Sequence, residues 1–384
     1  MRILMHCVYF PPEVGGLESH VYYLARQLVA MGHTVDVVTS RSLNGTPAHE
    51  VMDGVGVWRT WMPGKHTPGW IAHALASVPR TRALARAADI LHAQAFQSVP
   101  PLQAARAGRS TPLVTTYHTS HFLRLAQRPL WKPVLRRLLR AADYNLAASQ
   151  EIARVAEGLA PGVSVEALTN GVDTERFRRV EPALPPPPEG TFRIIVPRRL
   201  FEKNGVEYFI RALPLIVREV PAEAVLVGDG PERERLERLA AELGVGDRVT
   251  FLGARPNTDM PGILSSGDLA VFPSLMEATS VAALECMACE LPVAASRVGG
   301  LPEIVDDEVG GLFAPADPED LARTVVALLK RPDLAGLGAR ARKRVTERWS
   351  NARLAARHVE IYEALVARAR PRPADAGRAP SVEG

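Results

Sequence analysis

Apolar positions along the chain gather in short, nearly continuous runs separated by stretches of helical period. RILMHCV near the N-terminus is followed by a helical pattern over about Leu17–Met31 and then by TVDVVTS. DILHAQ, PLVTTYH and VSVEAL come next, with helical patterns between them. Runs that are apolar throughout, rather than alternating, belong to parallel strands covered on both faces. Strand and helix in repeated alternation predict a doubly wound α/β domain. The rhythm stops at VEPALPPPPEG, Val180–Gly190, whose five prolines exclude both helix and central strand. This stretch is expected to be a stiff linker. The pattern then restarts: FRIIVP leads into a helix near Val206–Arg218 and AEAVLVG into one near Pro231–Leu243, and RVTFLG, DLAVFPS and LPVAAS follow. Two α/β domains are therefore expected. Ligands of such domains bind beyond the carboxyl ends of the strands, so two facing domains predict a cleft. Trp349–Arg370 is one long helical pattern with no strand after it, and PRPADAGRAPSVEG is expected to be disordered.

Composition changes this picture little. The 384 residues are 47% hydrophobic and 23% charged, enough to bury a core in each domain without disulfides or metal. Cys7, Cys286 and Cys289 make no disulfide framework, which points to a reducing compartment. The first apolar run is too short for a signal peptide and reads as a buried strand. No run of about 18 apolar residues predicts a spanning helix. Charge is more informative. Residues 1–180 hold 20 Lys+Arg against 12 Asp+Glu, a net of +8, which leaves −4 for the rest of a +4 chain. A basic first half suits an anionic acceptor or surface, or is a solvated face without a partner.

The candidate chemistry centres on MEATSVAALEC, Met276–Cys286, with Glu277 and Glu285 eight positions apart. AALECMA reads as a helix with Thr279 or Ser280 as its N-cap. At about 1.5 Å per residue, eight helical residues span roughly 12 Å. A pair of glycosidase carboxyls lies within about 5–9.5 Å, so these two glutamates are better suited to hold separate ends of a long ligand. The helix N-terminus between them suits an anion. A nucleotide sugar has hydroxyls at both ends and a diphosphate in the middle.

This spacing resembles the signature of the GT-B family 4 glycosyltransferases (glycosyl transferases group 1), and other pieces stand in the matching order. They are FPPEVGGLESHVYYLARQLVAMGHTVDVVT (Phe10–Thr39), DILHAQ (Asp89–Gln94), TTYHTSH (Thr115–His121) and TNGVDTERF (Thr169–Phe177). PRRLFEKNGVEYFI (Pro197–Ile210), LVGDGPERERL (Leu226–Leu236), VTFLG (Val249–Gly253) and VGGLPEIV (Val298–Val305) follow. The likeness covers roughly residues 1–365.

The resemblance implies an α/β, GT-B fold of two facing Rossmann-like doubly wound domains with an interdomain cleft. It implies an acceptor domain over 1–180, a linker over 181–190 and a nucleotide-sugar domain over 191–348. A C-terminal helix over 349–370 is expected to cross back to the first domain, ahead of a disordered tail over 371–384. The implied activity is retaining transfer of a sugar from a nucleotide-diphosphate sugar to an acceptor hydroxyl of a lipid, sugar or glycan. Arg199 and Lys203 match the basic pair that grips the diphosphate, Glu285 the ribose ligand and Glu277 the ligand of the sugar hydroxyls. Ala278, Thr279, Ser280 and Val281 match the backbone donors after that glutamate. The family often places glycines there, so close approach to the sugar differs. Gly15 and Gly16 match the turn that meets the phosphate or sugar, Gly253 lies where the base is read, and His118 matches a strand-end histidine at the reacting sugar. The expected catalytic set is Arg199, Lys203, Glu277 and His118. No metal and no cofactor beyond the donor substrate are expected. A sugar-nucleotide epimerase, a phosphorylase and a non-catalytic nucleotide-sugar binder are the alternatives on this fold.

Two features are set aside. CMAC, Cys286–Cys289, lies in a helical apolar pattern and reads as packed core thiols. GDG at Gly228–Gly230 lacks a Walker lysine and reads as a turn. In His121–Asp143, Arg124, Arg128, Lys132, Arg136 and Arg140 recur every four positions, interrupted by Pro129 and Pro133. This segment is expected either to contact an anionic membrane or to be a solvated face. Nucleic acid is not expected, since no recognition motif accompanies the charge. The chain is expected in the cytoplasm, at the inner membrane face if that segment is a lipid contact and free of it if the segment is a solvated face.

Overall fold

The structure, a computed structural model, describes residues 1–369 apart from Val14, Thr119, Asn170, Ala278 and Thr279. The expected donor contacts Ala278 and Thr279 and the tail over 371–384 lie outside the described residues.

The first domain is built on β1 (Arg2–His6), β2 (Thr34–Arg41), β3 (His49–Met52), β4 (Val55–Trp61), β5 (Ile90–Ala93), β6 (Leu113–Tyr117), β7 (Tyr144–Ala147) and β8 (Val165–Ala167). They form one sheet in the order β3-β4-β2-β1-β5-β6-β7-β8, parallel except for the edge pair β3–β4. The second domain uses β9 (Phe192–Val196), β10 (Ala222–Val227), β11 (Val249–Gly253), β12 (Leu269–Phe272), β13 (Val293–Ser296) and β14 (Gly310–Phe313). Its order is β11-β10-β9-β12-β13-β14, parallel throughout. In β9, Ile194 and Val196 enter one apolar cluster and Ile195 the other, so both faces of the sheet are buried. Such strands have no polar face to show, which explains the unbroken apolar runs.

Each sheet reverses its winding once, between β1 and β5 and between β9 and β12. The loops leaving adjacent strands diverge there and leave a crevice. The first crevice lies where β1 leads toward Gly15 and Gly16 and β5 toward Gln94. The second lies where β9 leads to Arg198, Arg199 and Lys203 and β12 to Glu277. The GT-B architecture of two facing α/β domains is therefore built as expected.

The Pro-rich stretch and the residues before it lie against the second domain. Val172 and Phe177 sit in an apolar cluster with Cys286, Met287 and Leu301. The backbone amides of Val180 and Leu184 donate to Ser265 Oγ and Ser266 Oγ at 3.0 Å each. The helix Asn351–Ala369 buries Leu354, Ala355, Ile361, Tyr362 and Leu365 among Ile3, Met5, Val21 and Leu24 of the first domain. Arg357 on this helix makes two hydrogen bonds to Glu166, at 2.8 and 2.9 Å. Among the described residues, no helix is long and apolar enough to cross a membrane.

Candidate active site

The second crevice is assembled from two loops fastened to each other. Lys203 lies in a 3₁₀ turn over Glu202–Asn204, and its carbonyl accepts from the amides of Leu275 at 2.9 Å and Met276 at 3.3 Å. Gly205 follows with φ 64°, and a Cβ there would collide with the Pro273 carbonyl. Gly299, at φ 52°, packs so closely that a Cβ would strike the Glu277 carbonyl. Only glycine meets both demands, a left-handed backbone and contact at backbone distance. These two glycines bring the cationic loop, the Glu277 loop and the Val298–Val305 segment together.

Glu277 precedes the helix Val281–Ala288, which Ser280 caps by accepting from the Ala283 amide at 3.3 Å. Helical rise therefore does not measure the distance between Glu277 and Glu285; only Glu285 is on the helix. This corrects the separation expected from spacing. Glu277 is held by a residue the sequence did not single out. Arg198 Nη2 lies 2.7 Å from Glu277 Oε2 and also donates to Asn204 Oδ1 at 2.8 Å. The contact to Glu277 is an ion pair without hydrogen-bond alignment. Arg198 Nε and Glu277 Oε2 are both buried with no aligned hydrogen-bond partner among the described residues. Buried polar atoms without partners are rare in folded proteins and call for an explanation.

Arg199 is exposed, with its guanidinium 5.5 Å from the Phe201 ring centre. It nevertheless belongs to the same charge cluster. The Lys203 ammonium is pushed below its ordinary value by burial, then by Arg199 and Arg198, with Glu277 opposing. Three cations and one carboxylate thus share this crevice. Glu285 stands apart from them. Burial pushes its carboxyl up to about 8, with Arg176 pulling partly the other way. That cation belongs to the segment joining the domains, where Arg176 Nη1 donates to Tyr23 OH at 3.0 Å. Gly253 ends the edge strand β11 and accepts at its carbonyl from the Gly228 amide at 2.9 Å. Val281 is the first residue of the capped helix.

Across the cleft, the helix Gly16–Ala30 begins without a side-chain cap, so its first amides are available to a ligand. Among the described residues beyond its chain neighbours, a Cβ on Gly16 would meet nothing within 4 Å, whereas one on Gly15 would meet the Glu18 carboxylate. The Glu18 carboxyl is raised by burial, and Arg199 of the opposite domain is among the charges that oppose the shift. Lys203 likewise feels Arg124 of the first domain. The two crevices therefore face each other. A direct contact also joins the domains: Glu303 Oε1 accepts from the Gln150 amide at 2.9 Å, at the start of the helix Gln150–Leu159.

His118 follows β6 and is 6% exposed. Its Nε2 lies 2.9 Å from Gln94 Oε1, and its ring centre is 4.5 Å from that of His20. His20 is buried with neither ring nitrogen partnered among the described residues, and burial followed by the neighbouring imidazoles holds it well below its ordinary pKa. His121 packs on Trp70 and Phe96, with ring centres 5.7 and 5.9 Å away. Sequence reasoning missed Arg198, Gln94, His20 and Glu303. The Arg198-Arg199 doublet was visible, but which guanidinium turns inward depends on the loop. The cysteines of CMAC are free and buried, as packed thiols should be.

The comparisons with known proteins agree with this fold. Residues 14–176 match the model of Glycosyltransferase Family 4, and residues 191–331 match that of Glycosyl transferases group 1. The chain is 30% identical to a phosphatidylinositol N-acetylglucosaminyltransferase subunit from Arabidopsis thaliana, over 85% of this chain and 73% of that one. It is 29% identical to a GDP-mannose-dependent alpha-(1-6)-phosphatidylinositol monomannoside mannosyltransferase of Mycobacterium tuberculosis, over 93% and 96% of the two chains. The solved sucrose-phosphate synthase of Thermosynechococcus elongatus superposes with a TM-score of 0.82 at 25% identity, covering 96% of this chain and 99% of that one. With both family models matched and a relative at this identity along most of its length, the chain belongs to the group 1, family 4 glycosyltransferases of GT-B fold.

Proposed function

We propose that the enzyme transfers a hexosyl group, with retention of configuration and without metal, from a nucleotide-diphosphate sugar to the hydroxyl of an inositol-phosphate-bearing lipid. The observation that carries the reading is the crevice in which Arg198, Arg199 and Lys203 converge beside Glu277, with Glu277 Oε2 paired to Arg198 Nη2 and Arg198 Nε buried without a hydrogen-bond partner among the described residues. The cations take the diphosphate, as point charge and planar donors suit phosphate oxygens. Glu277 takes hydroxyls of the sugar and Glu285 those of the ribose, while Ser280, Val281 and Gly253 frame the nucleotide. Gly15, Gly16 and His118 close on the sugar from the other side.

In the reaction the bond from the anomeric carbon to the diphosphate oxygen breaks, and a bond from the acceptor oxygen to the same face of that carbon forms. The acceptor proton passes to the departing diphosphate oxygen, giving the glycoside and a nucleoside diphosphate. The cations stabilise the charge that grows on the leaving group. Domain closure excludes water and limits hydrolysis.

The acceptor class rests on the two relatives, whose names both specify phosphatidylinositol or its mannoside, and on the +8 balance of residues 1–180. The helix Lys132–Ala141 buries Leu135 and Leu139 and exposes Arg136, Arg137 and Arg140, while Leu130 just before it is 90% exposed. Cations and apolar side chains on one surface suit an anionic bilayer.

A thermal-shift panel with GDP-mannose and UDP-N-acetylglucosamine tests donor binding. A true donor at a hundred times its dissociation constant adds about 2.7 kcal/mol of stability. Failure of nucleotide sugars to shift unfolding would remove the reading.

A further inference from the structure

The first crevice holds a carboxylate that the reading above leaves unused. Glu18 stands in the first turn of the helix Gly16–Ala30 and is half-buried. A Cβ on Gly15 would lie 2.2 Å from Glu18 Oε2, so the carboxylate folds back over the Gly15 backbone and fills the space a side chain there would take. Gly16 beside it is exposed. Among the described residues, the one hydrogen bond to the Glu18 carboxylate comes from its own backbone amide. Burial raises the carboxyl most, and Glu13 adds to that; Arg199 and Lys65 act against it. Lys65 is already engaged by Glu13, with Nζ 2.8 Å from Oε1. Arg199 belongs to the opposite domain, and no ion pair joins it to Glu18 among the described residues.

An ionised carboxylate is an acceptor with about four lone-pair sites and no donor. One amide leaves the remaining sites turned to the cleft. Half-buried polar groups need partners, and here the missing donors can arrive only with what enters the cleft. The charge decides what that is. The N-terminus of this helix favours an anion, but it already carries one of its own in Glu18. A phosphate brought against the carboxylate would meet a like charge, whereas a hydroxyl supplies the hydrogen that the carboxylate lacks.

We propose that Glu18 accepts a hydrogen bond from a ring hydroxyl of the ligand, so that the first crevice selects polyol hydroxyls over phosphate. The hydroxyl belongs to the transferred sugar or to the acceptor ring. Glu18 is then a specificity-determining residue, and Gly15 is glycine because the carboxylate lies where its side chain would stand. The inference rests on the reading of the cleft as the site of sugar transfer.

Initial rates of nucleoside diphosphate release by the full-length wild type, Glu18→Gln and Glu18→Ala test it. The donor is GDP-mannose or UDP-N-acetylglucosamine, whichever stabilises the protein, and the acceptor is phosphatidylinositol in vesicles. Glu18→Gln keeps the size of the side chain and removes its charge. Loss of a hydrogen bond to a charged acceptor is expected to raise one KM by roughly tenfold to a hundredfold, with kcat held within about threefold. A raised nucleotide-sugar KM assigns the hydroxyl to the transferred sugar, and a raised vesicle KM assigns it to the acceptor. A lowered KM in Glu18→Gln would mean that the carboxylate faces phosphate, and unchanged KM values in whichever variant folds would mean that it serves the helix alone; either overturns the proposal. So does a rise in both KM values together with a loss of kcat, which is what a distorted cleft would give. A wild type that releases no nucleoside diphosphate would remove the sugar-transfer reading itself and this inference with it, whereas the variant outcomes bear on Glu18 alone.

Discussion

At the scale of single residues, what was legible in the sequence was residue type, and what was not was direction. His118 follows a strand directly, and Glu277 and Lys203 stand in the loops that leave β12 and β9. The motif points to Arg199, yet Arg198 is the guanidinium that meets Glu277. Two adjacent arginines leaving a strand point to different sides, and the choice is made by Asn204 Oδ1 and the Asp229 carbonyl, which accepts from the Leu200 amide at 3.0 Å. Neither partner can be read from the doublet itself. Arg198→Ala is accordingly expected to lower kcat by about a hundredfold or more and to do so more than Arg199→Ala. Equal, mild losses would return both arginines to the surface.

Glu285 gives a second prediction at this scale. Its carboxyl is raised from 4.5 to about 8 by burial, so between those values the folded state holds a proton that the unfolded state has released. The stability it contributes is therefore lost as pH rises through that window. Glu285→Gln cannot ionise, and its stability relative to wild type is expected to grow from about pH 5 to about pH 8, by roughly 2 kcal/mol or more. Chemical denaturation of the free protein across that range checks it; a difference independent of pH would show that Glu285 is not held neutral.

At the scale of elements, the unbroken apolar runs announced the strands of both parallel sheets because those strands have no polar face. The β3–β4 hairpin escapes that reading, although Asp53-Gly54, both at positive φ (47° and 82°), is the turn pair that such hairpins favour. The basic segment is expected to be broken by its prolines, and two helices, Ser120–Ala126 and Lys132–Ala141, do stand there. Pro133 lies in the first turn of the second one, where its missing amide costs nothing. If this helix meets anionic lipid, Arg137→Gln and Arg140→Gln should each weaken sedimentation with phosphatidylinositol-containing vesicles by about fivefold, since one surface cation is worth about 1 kcal/mol. Binding that is unchanged in both variants, or equal on neutral vesicles, would make the stripe a solvated face.

At the scale of the whole molecule, the order of the strands places the two crevices, and the chain returns to its first domain through the helix Asn351–Ala369. The alternation predicts both domains, but not how the halves touch. Glu303 meets the start of the helix Gln150–Leu159, where exposed amides and the helix dipole favour a carboxylate by about 0.3–1 kcal/mol. Glu303→Ala is expected to loosen the closed arrangement, raising the radius of gyration of the free protein in X-ray scattering and the donor KM a fewfold. A radius and KM like those of wild type would show the contact to be incidental.

The most direct test of the account is nucleoside diphosphate release by Lys203→Ala, measured beside the wild type with nucleotide sugar and phosphatidylinositol vesicles. Release by the wild type should depend on the acceptor, and the variant should lose about a hundredfold or more in kcat while remaining folded. Undiminished turnover without that ammonium would contradict catalysis by cations gathered on the departing diphosphate.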